Sequence, residues 1–261
     1  MSARTNTKGA EKEFEASQTV GETPTASTET HTVETLEHDE ITLSAPAAAT
    51  ASFDTDDLTI PPIQLVHNVG GLAETFSPGS FVYDGSFALS DGKEPLEVTL
   101  VSISKFFMEN VPFGDDRIPN TLATKQAVHA LGKTTTWSNE DGEKRSPDYL
   151  PVIDIHVLVA KPDELRDPDA EGLFMLEGPD GLSYGLAKMR LKKTSHSAAG
   201  RTIVSAMKFG GWETPAEASF LLTAPQRTFG KNRVHVATAK RGPKHDAEFV
   251  TWVSRLASEL I

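Results

Sequence analysis

Residues 95–108 (PLEVTLVSISKFFM) are apolar on both alternating faces and rich in β-branched side chains. A strand that is apolar on each side belongs inside a sheet, so the fold must supply cover above and below it. Pro112 and Gly114 end the run. A second run, residues 151–161, alternates instead. Ile153, Ile155, Val157 and Val159 share one face and Asp154 and His156 the other, as in a half-buried strand. Asp84-Gly85 separates β-like pieces at 80–83 and 86–89, and Asp91-Gly92 repeats the turn signal. Gly178-Pro179-Asp180-Gly181 separates residues 173–177 from 182–192, which reads as another hairpin. Further strands are expected over 218–223 and 233–239.

Helical period appears in three places. Residues 120–131 repeat Leu122, Val128 and Leu131 between an Asn120 cap and Gly132. Thr194 or Ser195 can cap a helix to Phe209, with Ala199, Ile203 and Met207 as its stripe and Gly210-Gly211 as its stop. Residues 243–260 begin with Pro243 and carry Phe249, Val250, Val253, Leu256, Ala257 and Leu260 on one stripe. Strands and helices together predict one β-rich α+β domain over residues 58–261 with two or three helices.

Residues 1–57 read differently. Thr, Glu, Ser and Ala dominate, and Phe14 and Phe53 are the only aromatics. Up to Ile60, twelve carboxylates stand against Arg4, Lys8 and Lys12, a formal charge of −9. Such a segment buries too little apolar area to offset its chain entropy, so a disordered acidic arm is expected. A solubilising tail is its plain reading; recruitment of a protein partner, or competition for a basic surface, is the functional one. The chain has no cysteine and no apolar run of membrane-spanning length. A soluble, cytoplasmic protein without disulfides is therefore expected.

Against a net charge of −12, residues 188–244 hold twelve lysines and arginines and two glutamates, a local charge of +10. A basic field of this size suits a polyanion, although a solvated face is the plainer reading. Single-stranded nucleic acid needs cations for phosphates and aromatic faces for unpaired bases. Period two places Tyr184, Lys188, Arg190 and Lys192 on one strand face. Lys193, Arg201, Arg233, Lys240 and Arg241 extend the basic set, with Trp137 and Trp212 as further stacking candidates.

Motifs for chemistry are missing. The sequence has no HExxH, no GxxxxGK[ST] or GxGxxG, and no GxSxG elbow. Asp154-x-His156 offers two metal ligands, too few for a site. No enzyme activity, metal or cofactor is expected.

The order of IPPIQLVHN, FSPGSFVYDG, PLEVTLVSI, PVIDIHVLV, YGLAKMRLKKT and RVHVATAKRG resembles the layout of small single-stranded-DNA-binding proteins of tailed phages. That resemblance implies an OB-like antiparallel barrel of five or six strands, and non-enzymatic DNA binding in replication or recombination, in the host cytoplasm. A phage structural or assembly protein is the alternative, and an enzyme with an unrecognised site the second. Many such binders carry a C-terminal acidic tail, whereas this chain ends Ala257-Ser258-Glu259-Leu260-Ile261 and has its acidic segment at the front.

Overall fold

The computed structural model describes residues 59–112, 115–140 and 143–260; the acidic arm expected over 1–57 lies outside them. Pro61-Pro62 lead into β1 (Ile63–Leu65), and a one-turn helix, α1 (Leu72–Thr75), follows Gly70-Gly71. β2 (Phe81–Tyr83) and β3 (Phe87–Ser90) form the expected hairpin, with Asp84 and Gly85 at φ 50° and 70°. Positive φ at both central residues is the turn that matches strand twist, which is why Asp-Gly marks it. β1, β2 and β3 make a small antiparallel sheet.

β4 (Leu96–Glu109) is the long strand predicted from 95–108, with a bulge between Leu100 and Ser102. β5 (Thr121–Leu122) pairs with its end, so the first part of the expected 120–131 helix is extended. The helix that remains, α2 (Lys125–Ala130), is capped by Thr124, whose hydroxyl accepts the Ala127 N–H at 3.1 Å. Asn120 is occupied elsewhere, donating its side-chain amide to Glu109 at 3.1 Å. β6 (Ser138–Glu140) and β7 (Glu143–Arg145) form a small hairpin before β8 (Tyr149–Ala160). A short helix, α3 (Pro168–Glu171), precedes β9 (Leu176–Glu177) and β10 (Ser183–Lys192), the predicted antiparallel pair.

Three consecutive helical pieces follow: Lys193–Ser195, a π-helical turn His196–Gly200, and Arg201–Gly210, together α4. Gly211 ends it at φ 66°, the left-handed stop foreseen from the glycine pair. The start departs from expectation. Ser195 is not the cap; its hydroxyl accepts the Ala237 N–H at 3.2 Å. β11 (Ala218–Thr223) matches its prediction. Residues 233–239 instead split at Val236-Ala237, giving a hairpin of β12 (Gln226–Phe229) with β13 (Asn232–His235), then β14 (Thr238–Lys244). Pro243 is tolerated in β14 because that strand is a sheet margin. The last helix, α5 (Ala247–Leu260), consequently starts after Asp246, whose carboxylate accepts the Phe249 N–H at 2.8 Å.

The main sheet is antiparallel and seven-stranded, in the order β14-β11-β4-β8-β10-β9, with β5 on β4. It is open, and the expected barrel is corrected on that point: β14 and β9 are separate margins. The small sheet meets β10 through a single parallel bridge, Pro62 with Lys188, where the Lys188 N–H donates to the Pro61 carbonyl at 2.9 Å. Lacking N–H groups, Pro61 and Pro62 cannot extend a ladder. The small sheet folds over one face of the large one instead, placing Phe81, Tyr83 and Leu89 with Leu100, Ile155, Val157 and Met189. Ala199 and Ile203 of α4 cover the rest of that face. Each fully buried Leu, Ile or Phe contributes about 1.5–3 kcal/mol. On the opposite face lies α5, with Phe249, Val253 and Leu256 buried.

Candidate functional site

The face of the sheet that carries α5 is covered over only part of its length. Near the start of β10, Tyr184 packs against Phe249 and Trp252, with ring centroids 5.5 and 5.6 Å apart. Its hydroxyl donates to Asp180 at 2.7 Å, and burial with that carboxylate raises its pKa far above the ordinary phenol value. Tyr184 is 7% exposed, which removes it as a stacking platform. Alternation assigned its face correctly and could not show that a helix lies on it.

Further along, the same face is polar. Register sets Lys188 opposite His156 and Arg190 opposite Asp154 across β10 and β8. It sets His156 opposite Ser102 and Asp154 opposite Ser104 across β8 and β4. Arg190 donates twice to Asp154, both at 2.8 Å, and its guanidinium lies 5.4 Å from the Phe106 ring centre. Lys188 adds an ion pair to the same carboxylate at 3.4 Å. Burial alone would raise the Asp154 carboxyl, but Arg190 and Lys188 outweigh it and hold it below the usual carboxylate range. His156 shares a hydrogen bond with Ser102 at 2.8 Å and is held below its ordinary pKa by burial and by Lys188. Two cations expected to meet phosphate are thus already engaged with a carboxylate.

Past the Pro62–Lys188 bridge, β1 and β10 diverge, and a cleft of about 770 Å³ opens between them. Lys188, Arg190, Lys192 and Lys193 line one side, His67 and His235 the other, and no carboxylate among the described residues lines it. Lys193 begins α4 at a positive φ of 53°, swinging the chain out of β10 at the head of the cleft. Lys192 has a depressed pKa, from burial first and then the neighbouring charges of Lys193 and Arg190. His67 is likewise lowered, by burial, then by His235 and Lys192. Burial leads in both cases and the neighbouring groups add to it, so an anion bound beside Lys192 would favour its charged form.

The remaining predicted residues do not converge on one surface. Arg233 stands on β13 beside the cleft, its carbonyl accepting the Asn68 side chain at 2.8 Å. Trp212 is half-buried at the end of α4, against Phe220 at 5.6 Å and with the Arg241 guanidinium 5.0 Å from its ring. A base stacking there would have to displace Arg241. Lys240 lies on the marginal strand β14, exposed, next to Arg241. Arg201 belongs to a separate hollow on α4, and Trp137, 61% exposed, follows two residues that line the same hollow. His67, His235 and Asp154 were missed as site residues. They are scattered in sequence: register sets Asp154 opposite Arg190, and the two histidines reach the cleft from the far side, after β1 and on β13.

Among the described residues, no three His, Asp or Glu side chains form a metal-ligand group, and no helix is long and apolar enough to cross a membrane. No protein-family description matches the chain, and neither curated proteins nor solved structures give a match to it.

Proposed function

We propose that this protein binds single-stranded nucleic acid, DNA in the first instance, without catalysis, gripping its phosphates in the cleft between β1 and β10. The observation that carries this reading is the lining: Lys192 and Lys193, with Lys188 and Arg190 already shared with Asp154, two histidines, and no carboxylate among the described residues along one open groove. A flexible single strand can follow such a groove with its charges toward the cations. The aromatic contribution is smaller than the sequence suggested, because Tyr184 is buried and Trp212 is already covered by Arg241. Binding is therefore mostly electrostatic and indifferent to base sequence.

Fluorescence polarisation with single- and double-stranded oligonucleotides across a salt series tests it. Lys192 and Lys193 form no ion pair among the described residues. Each should contribute about −0.7 to the slope of log K against log salt for a single strand. Replacing both by Ala should flatten that slope by roughly 1.4. An unchanged slope, or no binding by the parent protein, would reject the reading.

A second reading, a contact role in an assembly, rests on one observation. Past Lys188 the outer edge of β10 has no partner strand among the described residues. Such an edge can accept an extended segment of another chain. Formation of large particles without salt-sensitive oligonucleotide binding would favour it.

A further inference from the structure

Where α4 crosses β4 and β8, the structure leaves a second hollow of about 370 Å³, distinct in its lining from the cleft. Its floor is Phe107, Pro151 and Ile153, which register places side by side with Lys105. Three cations from three separate elements ring it: Lys105 of β4, Lys125 at the start of α2 and Arg201 of α4. Among the described residues no carboxylate lines the hollow, and none of the three cations has an ion pair. Lys105 lies over the Phe107 ring at 5.7 Å, which positions its stem along the floor without neutralising its charge.

The rest of the lining can donate hydrogen bonds. Thr135 and Thr136 contribute hydroxyls from the loop before β6, and His196 is 6% exposed at the base. His196 opens the π-helical turn, and Arg201 follows that turn directly. A π turn widens the helix by a residue locally and recurs at functional sites. Here it seats Gly200 against the sheet so closely that an added Cβ would come within 2.9 Å of Ile153 Cδ1. That contact fixes the height at which His196 and Arg201 stand over the floor.

Converging like charges with no counter-ion are complementary to an anion, and a flat apolar floor beneath them suits the organic part of the same molecule. We propose that this hollow binds a small phosphate ester, with the phosphate held by Lys105, Lys125 and Arg201 and its apolar body resting on Phe107 and Pro151. The volume suits one nucleotide-sized molecule, free in solution or at the 5′ end of a strand. The site is independent of the cleft, and it uses two cations, Lys105 and Lys125, that lie outside the basic stretch of the sequence.

Isothermal titration of the full chain with inorganic phosphate and with thymidine 5′-monophosphate tests the proposal, alongside 5′-phosphorylated and 5′-hydroxyl oligothymidine. The monophosphate should bind saturably and more tightly than inorganic phosphate, because only it has a body for the floor. Lys125→Gln with Arg201→Gln, both exposed positions, should weaken it at least tenfold, as should Lys105→Gln alone. Lys192→Ala with Lys193→Ala should leave it unchanged, which separates this site from the cleft. The His196 imidazole resonances should shift along the same titration. A 5′-phosphate that strengthens oligonucleotide binding only when Arg201 is present would identify a strand end as the ligand; equal binding of both oligonucleotides would identify the free ester. No saturable binding of the monophosphate, or binding insensitive to the Lys125, Arg201 and Lys105 substitutions, would overturn the proposal. Loss in the Lys192 and Lys193 variant would do so too.

Discussion

Asp154 sits 5% exposed beneath two cations whose side chains are 45% and 39% exposed, Arg190 and Lys188. The carboxylate is buried while its partners reach water, so screening limits what the ion pairs contribute. Asp154→Asn should destabilise the fold by about 1–2 kcal/mol at neutral pH, read by urea unfolding. Its pH dependence has a definite sign. A carboxyl held below its unfolded value contributes stability that is present above about pH 3.9 and is lost as pH falls through its lower folded value. The parent and Asp154→Asn curves should therefore converge on acidification below about pH 4. Alternation in 151–161 had already placed Asp154 and His156 on the face opposite Ile153 and Ile155. That Arg190 stands opposite Asp154 was not legible, because pairing register depends on how two distant strands align.

Gly185 shows how the elements are held together at the edge of the cleft. A Cβ there would come within 2.7 Å of the Leu173 carbonyl and 2.9 Å of the Tyr83 ring. Tyr83 in turn donates its hydroxyl to the Leu186 carbonyl at 2.7 Å, pinning the small sheet to β10. Gly185→Ala must push backbone against backbone, so it should cost about 2 kcal/mol. Because Tyr83 pairs with Ile63 of β1, one wall of the cleft, the same variant should also weaken oligonucleotide binding, which Lys192→Ala would do without loss of stability. Most elements could be read from the chain, since Asp84-Gly85, Gly178 to Gly181 and Gly210-Gly211 mark turns and stops by backbone conformation alone. Element starts were harder. Asn120, Ser195 and Pro243 each have the chemistry of a helix start, yet a tertiary partner or a strand claims each of them.

At the scale of the whole molecule, the main core of the described residues is built from Ile63 onward. Removing residues 1–57 should leave the thermal midpoint within about 3 °C, as followed by circular dichroism. A loss of cooperative unfolding would mean that the front of the chain is needed for the fold. The open sheet was not legible, because strand patterns constrain which faces are covered and say little about whether margins meet. Pro61 and Pro62 look like an extended lead-in, and lacking N–H groups they leave the small sheet meeting the large one at a single bridge. Among the described residues, β10 has an unpaired outer edge beyond Lys188. An edge of that kind invites a second copy of the same chain to pair with it, the usual beginning of aggregation. Antiparallel pairing of two such edges would bring Arg190, Lys192 and Lys193 of one copy against the same residues of the other. The charge proposed to draw a polyanion into the groove would therefore also hold two copies of this protein apart.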